Sequence, residues 1–354
     1  MELKNKLGWA VVGYGGMGGW HTQEILKSDV VELCGIYDID EKRLKAAEEN
    51  GIHAYPTLEA LLADEAICGI TIATPNECHK PIAIQALRAG KNVISEKPVM
   101  LSLEELDTVI AVANECGKLF TVHQNRRWDG ENLVMKGIYE SGELGKVFHI
   151  ENKVLGSRGI PGDWRAKPEH GGGMLYDWGI HLIDQIFCIV GDCKLNSVYC
   201  TFEHVKNKTV DDGFKLDMYF EDELSARVEV GTYYFQKFGR FLMAGDEGGA
   251  LIADWCQPAH IIKPAPNAAY DVAPVVTAAG ITKTMAPRGK TDRLECFIEQ
   301  PQADVHDFYR NFVSAIRGEA TQIVTHEQMR RVMTVIEAAF ISDREHRIVN
   351  IEEI

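Results

Sequence analysis

Two stretches of the sequence bring together residue types that can move a proton and a hydride. Glu96-Lys97-Pro98 follows an apolar run, Asn92–Ser95, and Asp177 and His181 stand four apart in the segment Gly171–Asp184. A lysine at the carboxyl end of a strand can hydrogen-bond a ligand hydroxyl and lower its pKa as an alkoxide develops. A histidine with a carboxylate one helical turn away is a workable acid/base, its ring oriented and its charged form stabilised. Ile180, Ile183, Phe187 and Val190 recur at helical spacing and give a core stripe. Asp177, His181 and Asp184 fall at i, i+4 and i+7 and share a second face. Three ionisable groups aligned beside a core stripe are costly to bury without a purpose. A loop lysine alone is usually solvated and a lone histidine usually structural; their combination with a nucleotide motif points to catalysis.

That motif is Gly13-Tyr14-Gly15-Gly16-Met17-Gly18, a G-x-G-x-x-G between a strand-like run and a helical pattern. The glycines permit a tight turn, close backbone approach to a pyrophosphate and helix–strand packing, and the helix N-terminus offers free N–H groups. Asp38 ends the next strand-like run, twenty residues past Gly18, where an acid can accept from the adenosine ribose hydroxyls. The bland reading of Asp38 as a helix cap is weakened because Asp40 fills that role. A 2′-phosphate would need a nearby arginine and would meet the Asp38 carboxylate. Ile39 follows, with Arg43 a turn away, so NAD is favoured over NADP.

The elements that must position these residues follow from periodicity. Leu7–Gly13, Val31–Tyr37, Ile67–Ala73, Asn92–Ser95 and Leu119–His123 read as strands alternating with helices, one of them opened by Ser102-Leu103-Glu104-Glu105 as a capping box. That alternation predicts an α/β Rossmann domain, a doubly wound parallel sheet, over residues 1–123. From 124 to 354 the pattern changes. A helix near Gly130–Ser141 and a strand near Lys146–Leu155 precede a helix at Gly179–Val190. A run of strands follows: Leu195–Glu203, Gly213–Phe220, Leu224–Phe235, Phe241–Ala244 and Leu251–Asp254. This predicts an α+β domain with a large, mainly antiparallel open sheet. Cys256–Pro301, proline-rich and weakly periodic, reads as an irregular excursion, and two helices, about Val305–Arg317 and Glu327–His346, close the chain.

Bulk composition limits the partners. A net charge of −15 argues against nucleic acid, whose phosphates need clustered Lys and Arg. No apolar run approaches the roughly 18 residues of a membrane span. The N-terminal residues lead directly into a strand-like run with no signal-peptide pattern, which points to the cytoplasm. Nine scattered cysteines without C-x-x-C, and no H-E-x-x-H, suggest neither a disulfide framework nor a metal site.

The ordered set G-x-G-x-x-G, the acid after the second strand, Thr74-Pro75-Asn76 with His79, Glu96-Lys97-Pro98, and D-x-x-x-H resembles the glucose–fructose oxidoreductase/inositol dehydrogenase (Gfo/Idh/MocA) family, to about Asp254. Gln124–Asp129 and the run Leu175–Gln185 are similar to members acting on scyllo-inositol, which tend to use NADP. The resemblance implies Lys97, Asp177 and His181 as the catalytic trio: His181 the acid/base, Lys97 polarising the reacting oxygen, Asp177 positioning both and the substrate. It further implies Asp184, Tyr176, Arg127 and the pair Trp164-Arg165 as substrate or nicotinamide-side contacts. Thr74, Asn76, His79, Glu96 and Asn125 would line the cofactor.

Three functions fit these residues. The first is a dehydrogenase or reductase acting on a secondary alcohol of a sugar or polyol with net turnover of NAD. The second is an NAD-retaining glycosidase that oxidises the sugar transiently. The third is a non-enzymatic NAD- or sugar-sensing regulator, against which the intact Lys97, Asp177 and His181 count. The broad late sheet, with aromatics at Tyr233, Tyr234 and Phe235, predicts a homodimer or homotetramer packed through it.

Overall fold

The computed structural model describes residues 6–266, 268, 273–282 and 288–354. The chain begins with β1 (Leu7–Val12), α1 (Gly16–Lys27), β2 (Val31–Tyr37), α2 (Glu41–Glu49), α3 (Leu58–Ala63), β3 (Gly69–Ile72), α4 (His79–Arg88), β4 (Asn92–Ser95), α5 (Leu103–Cys116) and β5 (Phe120–Val122). The strands form a parallel sheet in the order β2-β1-β3-β4-β5. Beyond β2 the backbone at His53–Tyr55 adds a parallel bridge, with Ile36 N–H donating to the His53 carbonyl and Tyr55 N–H to the Ile36 carbonyl. With that bridge counted as an edge strand, the order becomes the 3-2-1-4-5-6 arrangement of dinucleotide-binding folds.

Local chemistry places the helix starts where the sequence expects them. The Asp40 carboxylate accepts from Lys42 N–H, and the Ser102 hydroxyl accepts from Glu105 N–H. The Glu105 carboxylate accepts from Leu101 N–H, one residue before the cap. α3, capped by Thr57, is a helix that the periodicity did not reveal, being only 6 residues long. The sheet's carboxyl edge gathers Gly13, Thr74, Glu96-Lys97 and His123-Gln124 from the ends of β1, β3, β4 and β5.

The rest of the chain comprises α6 (Gly130–Ser141), β6 (Val147–Leu155), α7 (Ile180–Val190), β7 (Leu195–Glu203), β8 (Gly213–Phe220), β9 (Ser225–Gly231), β10 (Phe241–Gly245), β11 (Gly249–Ile252), β12 (Ala259–Pro264), β13 (Val275–Thr277), β14 (Gly280–Thr282), β15 (Arg293–Ile298), α8 (His306–Ile316), α9 (His326–Glu345) and β16 (Val349–Asn350). Nine strands form one sheet, β15-β12-β11-β10-β6-β9-β8-β7-β16. Only β6 and β9 pair in parallel; their neighbours are antiparallel. Period-two alternation sets the faces: in β8, Phe214, Leu216, Met218 and Phe220 are buried. On β6 to β9 the opposite positions carry charge, with Arg227 paired to Asp217, Lys215 to Glu203, and Lys153 to Glu151 and Glu229.

Two expectations are corrected here. Cys256–Pro301 is not wholly irregular: β12 and β15 extend the large sheet and β13–β14 is a separate hairpin, while 267, 269–272 and 283–287 lie outside the described residues. Their pattern is hard to read because β15 is exposed along almost its whole length, so burial imposes little alternation on it. The strand expected over Leu224–Phe235 is β9, which stops at Gly231. Tyr233, Tyr234 and Phe235 leave the sheet, and the Tyr234 hydroxyl donates to Glu203 and Glu229. α8 returns to the first sheet, where Tyr309 and Phe312 meet the Trp9 ring edge-on at 6.3 and 6.1 Å.

Candidate active site

The G-x-G-x-x-G turn is sterically fixed at two of its glycines. Gly13 has φ +94°, and a Cβ there would collide with the Ala73 carbonyl; a Cβ on Gly18 would collide with the Gly13 carbonyl. Gly16 faces open space, and α1 has Gly15 as its N-cap with no side-chain cap, leaving its first N–H groups, through Met17, to an anion. The Thr74 hydroxyl, at the end of β3, is buried without a partner. An open cradle, an uncapped helix start and an orphaned hydroxyl on one sheet edge fit a dinucleotide. Asp38 is buried at the end of β2. One carboxylate oxygen accepts from Tyr14 N–H at 2.6 Å and pairs with Arg43 at 3.2 Å; the other accepts from Asp40 N–H at 2.9 Å.

Lys97 reaches across from β4 to the segment before α7. Its Nζ lies 2.8 Å from Asp177 Oδ1 and 3.0 Å from the Asp177 carbonyl. The second Asp177 oxygen takes Arg165 Nε at 2.7 Å. Burial alone would raise the Asp177 pKa, but Lys97 and Arg165 outweigh it and hold the carboxyl at about 2. Leu175–Gly179 forms a single π-helical turn before α7, so the predicted helix starts earlier and wider than Gly179. Asp211 Oδ2, which the sequence analysis did not single out, accepts from Met174 and Leu175 N–H and so caps that turn.

His181 does not bond a carboxylate. Its Nδ1 lies 3.2 Å from Gln124 Oε1, an amide oxygen that can only accept. The proton therefore sits on Nδ1, and Nε2 carries the free lone pair. Burial, then the charges of Lys97 and Arg126, push its pKa well below the ordinary histidine value, and Glu96 and Asp177 counter less strongly. The expected stabilisation of its charged form by Asp177 is present but outweighed, and both Asp177 oxygens are bonded to Lys97 and Arg165. His181 is a neutral base. Arg126, over the Trp178 ring at 4.2 Å, and Gln124 are site residues that a search for ionisable motifs passes over.

Several residues expected to line the cofactor are held by the protein itself. Glu96 is buried beneath the edge, its Oε1 accepting from His21 Nε2 at 2.8 Å and His123 Nδ1 at 2.9 Å. Burial raises its pKa, but the two imidazoles outweigh that and hold it well below the usual carboxylate value. His21 Nδ1 in turn meets the Tyr309 hydroxyl at 2.8 Å, and Glu96 Oε2 accepts from Lys97 N–H. Among the described residues, His21, Glu96 and His123 are the group spaced for a shared metal ion, yet the carboxylate already takes an N–H from each ring. The His79 ring bridges the carbonyls of Thr74 and Pro98, tying β3 to β4, and Asn76 donates to the His170 carbonyl. Asn125 opens a short 3-10 turn, Asn125–Trp128.

Two cavities separate the expected substrate contacts. One, of about 590 Å³, is lined by Asp177, Arg165, Trp178 and the loop after β6, with Trp164 beside Arg165 and Lys97. The other, of about 510 Å³, is lined by Arg127 and Asp184 with Lys136 and Arg331, and does not include the trio. There Arg127 clamps Asp184 through two bonds, at 2.8 and 2.6 Å. The Tyr176 hydroxyl donates to the Leu101 carbonyl, its ring 5.4 Å from that of Phe340. The structure thus brings Lys97, Asp177 and Arg165 into contact, with His181 under the influence of the Lys97 charge, and gives Arg127, Tyr176 and Asp184 partners within the protein.

Two family models match the chain. Residues 7–124 match the oxidoreductase family GFO_IDH_MocA, NAD-binding Rossmann fold, and residues 133–251 match the GFO/IDH/MocA C-terminal domain. A solved NAD-binding protein from Listeria innocua is 40% identical, with a TM-score of 0.94 over 98% of this chain and 100% of that one. An uncharacterized oxidoreductase of Schizosaccharomyces pombe is 37% identical over 166 residues, 44% of this chain. That match spans 45% of the yeast protein, so the chain aligns with under half of its length. The scyllo-inositol 2-dehydrogenase (NADP(+)) IolW of Bacillus subtilis is 26% identical over 97% of this chain and 95% of its own.

Proposed function

The chain belongs to the Gfo/Idh/MocA oxidoreductase family, and from that premise we propose that it transfers a hydride between a secondary alcohol carbon of a sugar or polyol and NAD. The observation that carries this is the contact of Lys97 with Asp177 beside a neutral, buried His181, on the same sheet edge as the nucleotide turn. Relatives bear names consistent with such substrates, including a glucose-6-phosphate 3-dehydrogenase of Bacillus subtilis and a 1,5-anhydro-D-fructose reductase of Ensifer adhaerens.

In the oxidative direction a substrate hydroxyl seated beside Asp177 meets the Lys97 ammonium, which stabilises the oxygen as negative charge develops. His181 Nε2 takes the hydroxyl proton, its availability fixed by the Nδ1–H bond to Gln124. When bound, the nicotinamide supplies the acceptor for the hydride that leaves the carbon. Asp177, ionised between Lys97 and Arg165, holds the ammonium in place. Reduction reverses these roles: His181 must first be protonated and Lys97 polarises the carbonyl.

The test is to follow reduced-nicotinamide absorbance with NAD and a panel of inositols, aldoses and glycosides. NADH accumulating with a sugar or polyol supports the reading. Aglycone release from glycosides with no NADH would replace it with a redox-neutral cleavage.

A further inference from the structure

The cavity beside Asp177 has a charge balance unlike that of the whole chain. Its charged lining is Arg158, Arg165 and Asp177, a cationic excess in a protein of net charge −15. Asp177 and Arg165 neutralise one another, and Arg165 also pairs with Asp163 at 2.9 Å. Arg158 is exposed and has no hydrogen bond or ion pair among the described residues. It stands on the loop after β6 with Ser157, between Gly156 and Gly159. The N–H groups of those two glycines donate to the Gly231 and Thr232 carbonyls, which anchors the loop to the end of β9. Gly159 has φ +74°, and a Cβ there would press on the Tyr233 hydroxyl, so the turn itself is fixed.

The hydrogen-bonding character points the same way. Both Asp177 oxygens are already engaged, and the Thr232 hydroxyl donates to the Asp212 carbonyl. The lining side chains left without a partner are the Arg158 guanidinium and the Trp178 indole N–H, which only donate, and the Ser157 hydroxyl, which donates or accepts. A neutral polyol presents hydroxyls that both donate and accept. A phosphate or carboxylate only accepts at neutral pH, and a guanidinium matches it with a two-pronged contact.

We propose that the substrate bears an anionic group, a phosphate ester or a carboxylate, and that Arg158 receives it. This deepens the reading of the Asp177 cavity as the sugar site and rests on it. Arg158 is then a specificity-determining residue: it selects the charged sugar, while Lys97 and His181 act on the hydroxyl beside Asp177.

The experiment is calorimetric titration of the full chain saturated with NADH, a complex in which an alcohol cannot react. The probes are neutral aldoses and polyols, each paired with its phosphate ester and its uronate. At least one charged member should bind about tenfold or more tightly than its neutral counterpart. Arg158→Gln should cut that preference by about 10- to 100-fold, the range of a charge-assisted contact. The winning member, phosphate or carboxylate, identifies the group. No charged member binding better than its neutral partner, or a preference unchanged in Arg158→Gln, would overturn the proposal. Charged sugars that bind through Arg158, yet give no NADH with NAD, would sink the hydride-transfer reading and leave the anion site standing.

Discussion

At the scale of single residues, Lys97 and Asp177 were legible because their types and order carry the chemistry, and the structure brings them within 2.8 Å. What the residue types did not reveal is who holds whom. A carboxylate one turn from a histidine suggests a pair, but two cations outbid the imidazole for Asp177, and an uncharged glutamine orients His181 instead. This fixes the sign of the pH response. His181 must be neutral to accept a proton, and its pKa is displaced downward. Oxidative turnover should therefore stay level from neutral pH down past the ordinary histidine value of about 6.5, and fall only below it. Gln124→Leu should disturb that limb and lower turnover with little change in NAD affinity. A limb centred above the ordinary value in stopped-flow or steady-state profiles would refute the assignment. Arg43 also gains a role from the structure, since it pairs with Asp38 beside the nucleotide turn. NAD should bind more tightly than NADP in the native chain. Asp38→Ser removes the repelling carboxylate and frees Arg43 for a 2′-phosphate, so the NAD preference should narrow by about tenfold or more. Fluorescence titration of both reduced cofactors checks this, and an unchanged ratio would remove Asp38 from the account.

At the scale of elements, the parallel strands and their helices were readable because buried β-runs, glycine turns and capping residues all agree. The elements that escaped were those with weak local signals: the short α3, the exposed β15, and the π-turn ahead of α7. The π-turn depends on Asp211, distant in sequence and invisible to periodicity. Its carboxyl is buried against two backbone N–H groups, and burial pushes its pKa up to about 7 despite them. The folded state thus holds this proton more tightly than the unfolded chain, where a carboxyl titrates near about 4. Its contribution to stability is complete below about pH 4 and is lost as pH rises through about 7. The unfolding free energy of the native chain minus that of Asp211→Asn, from denaturant titration, should decline between about pH 4 and about pH 7. Asp211→Ala should cost about 1–3 kcal/mol below about pH 4, because Met174 and Leu175 N–H lose their acceptor, and less as pH rises through about 7. A difference that stays level or rises over that pH range would contradict the buried, protonated carboxyl.

At the scale of the whole molecule, the sheet edge of the first half and the π-turn of the second meet at one site, with α8 stitched back onto the first sheet through Trp9, Tyr309 and His21. The order of motifs announced this arrangement, because a dinucleotide turn and a D-x-x-x-H so far apart must be joined across two sheets. The predicted assembly has a different basis from the one the aromatic run suggested. Tyr233 and Tyr234 are half-buried, whereas Phe297 on β15 is 63% exposed and Phe235 is 80% exposed. An exposed aromatic on the edge strand β15, and a second after β9, favour a homo-oligomer. Light scattering at micromolar concentration should give a multiple of 39.5 kDa, and a monomer would contradict it. The central claim, hydride transfer with His181 as base and Lys97 as the polarising group, has its most direct test in NADH formation by the native chain, His181→Asn and Lys97→Met on a substrate found active. The account predicts turnover lower by about two to four decades in each variant, with NAD affinity nearly unchanged because the nucleotide turn and Asp38 are intact. Near-native turnover in either variant, with a deuterium isotope effect showing chemistry to be rate-limiting, would contradict it.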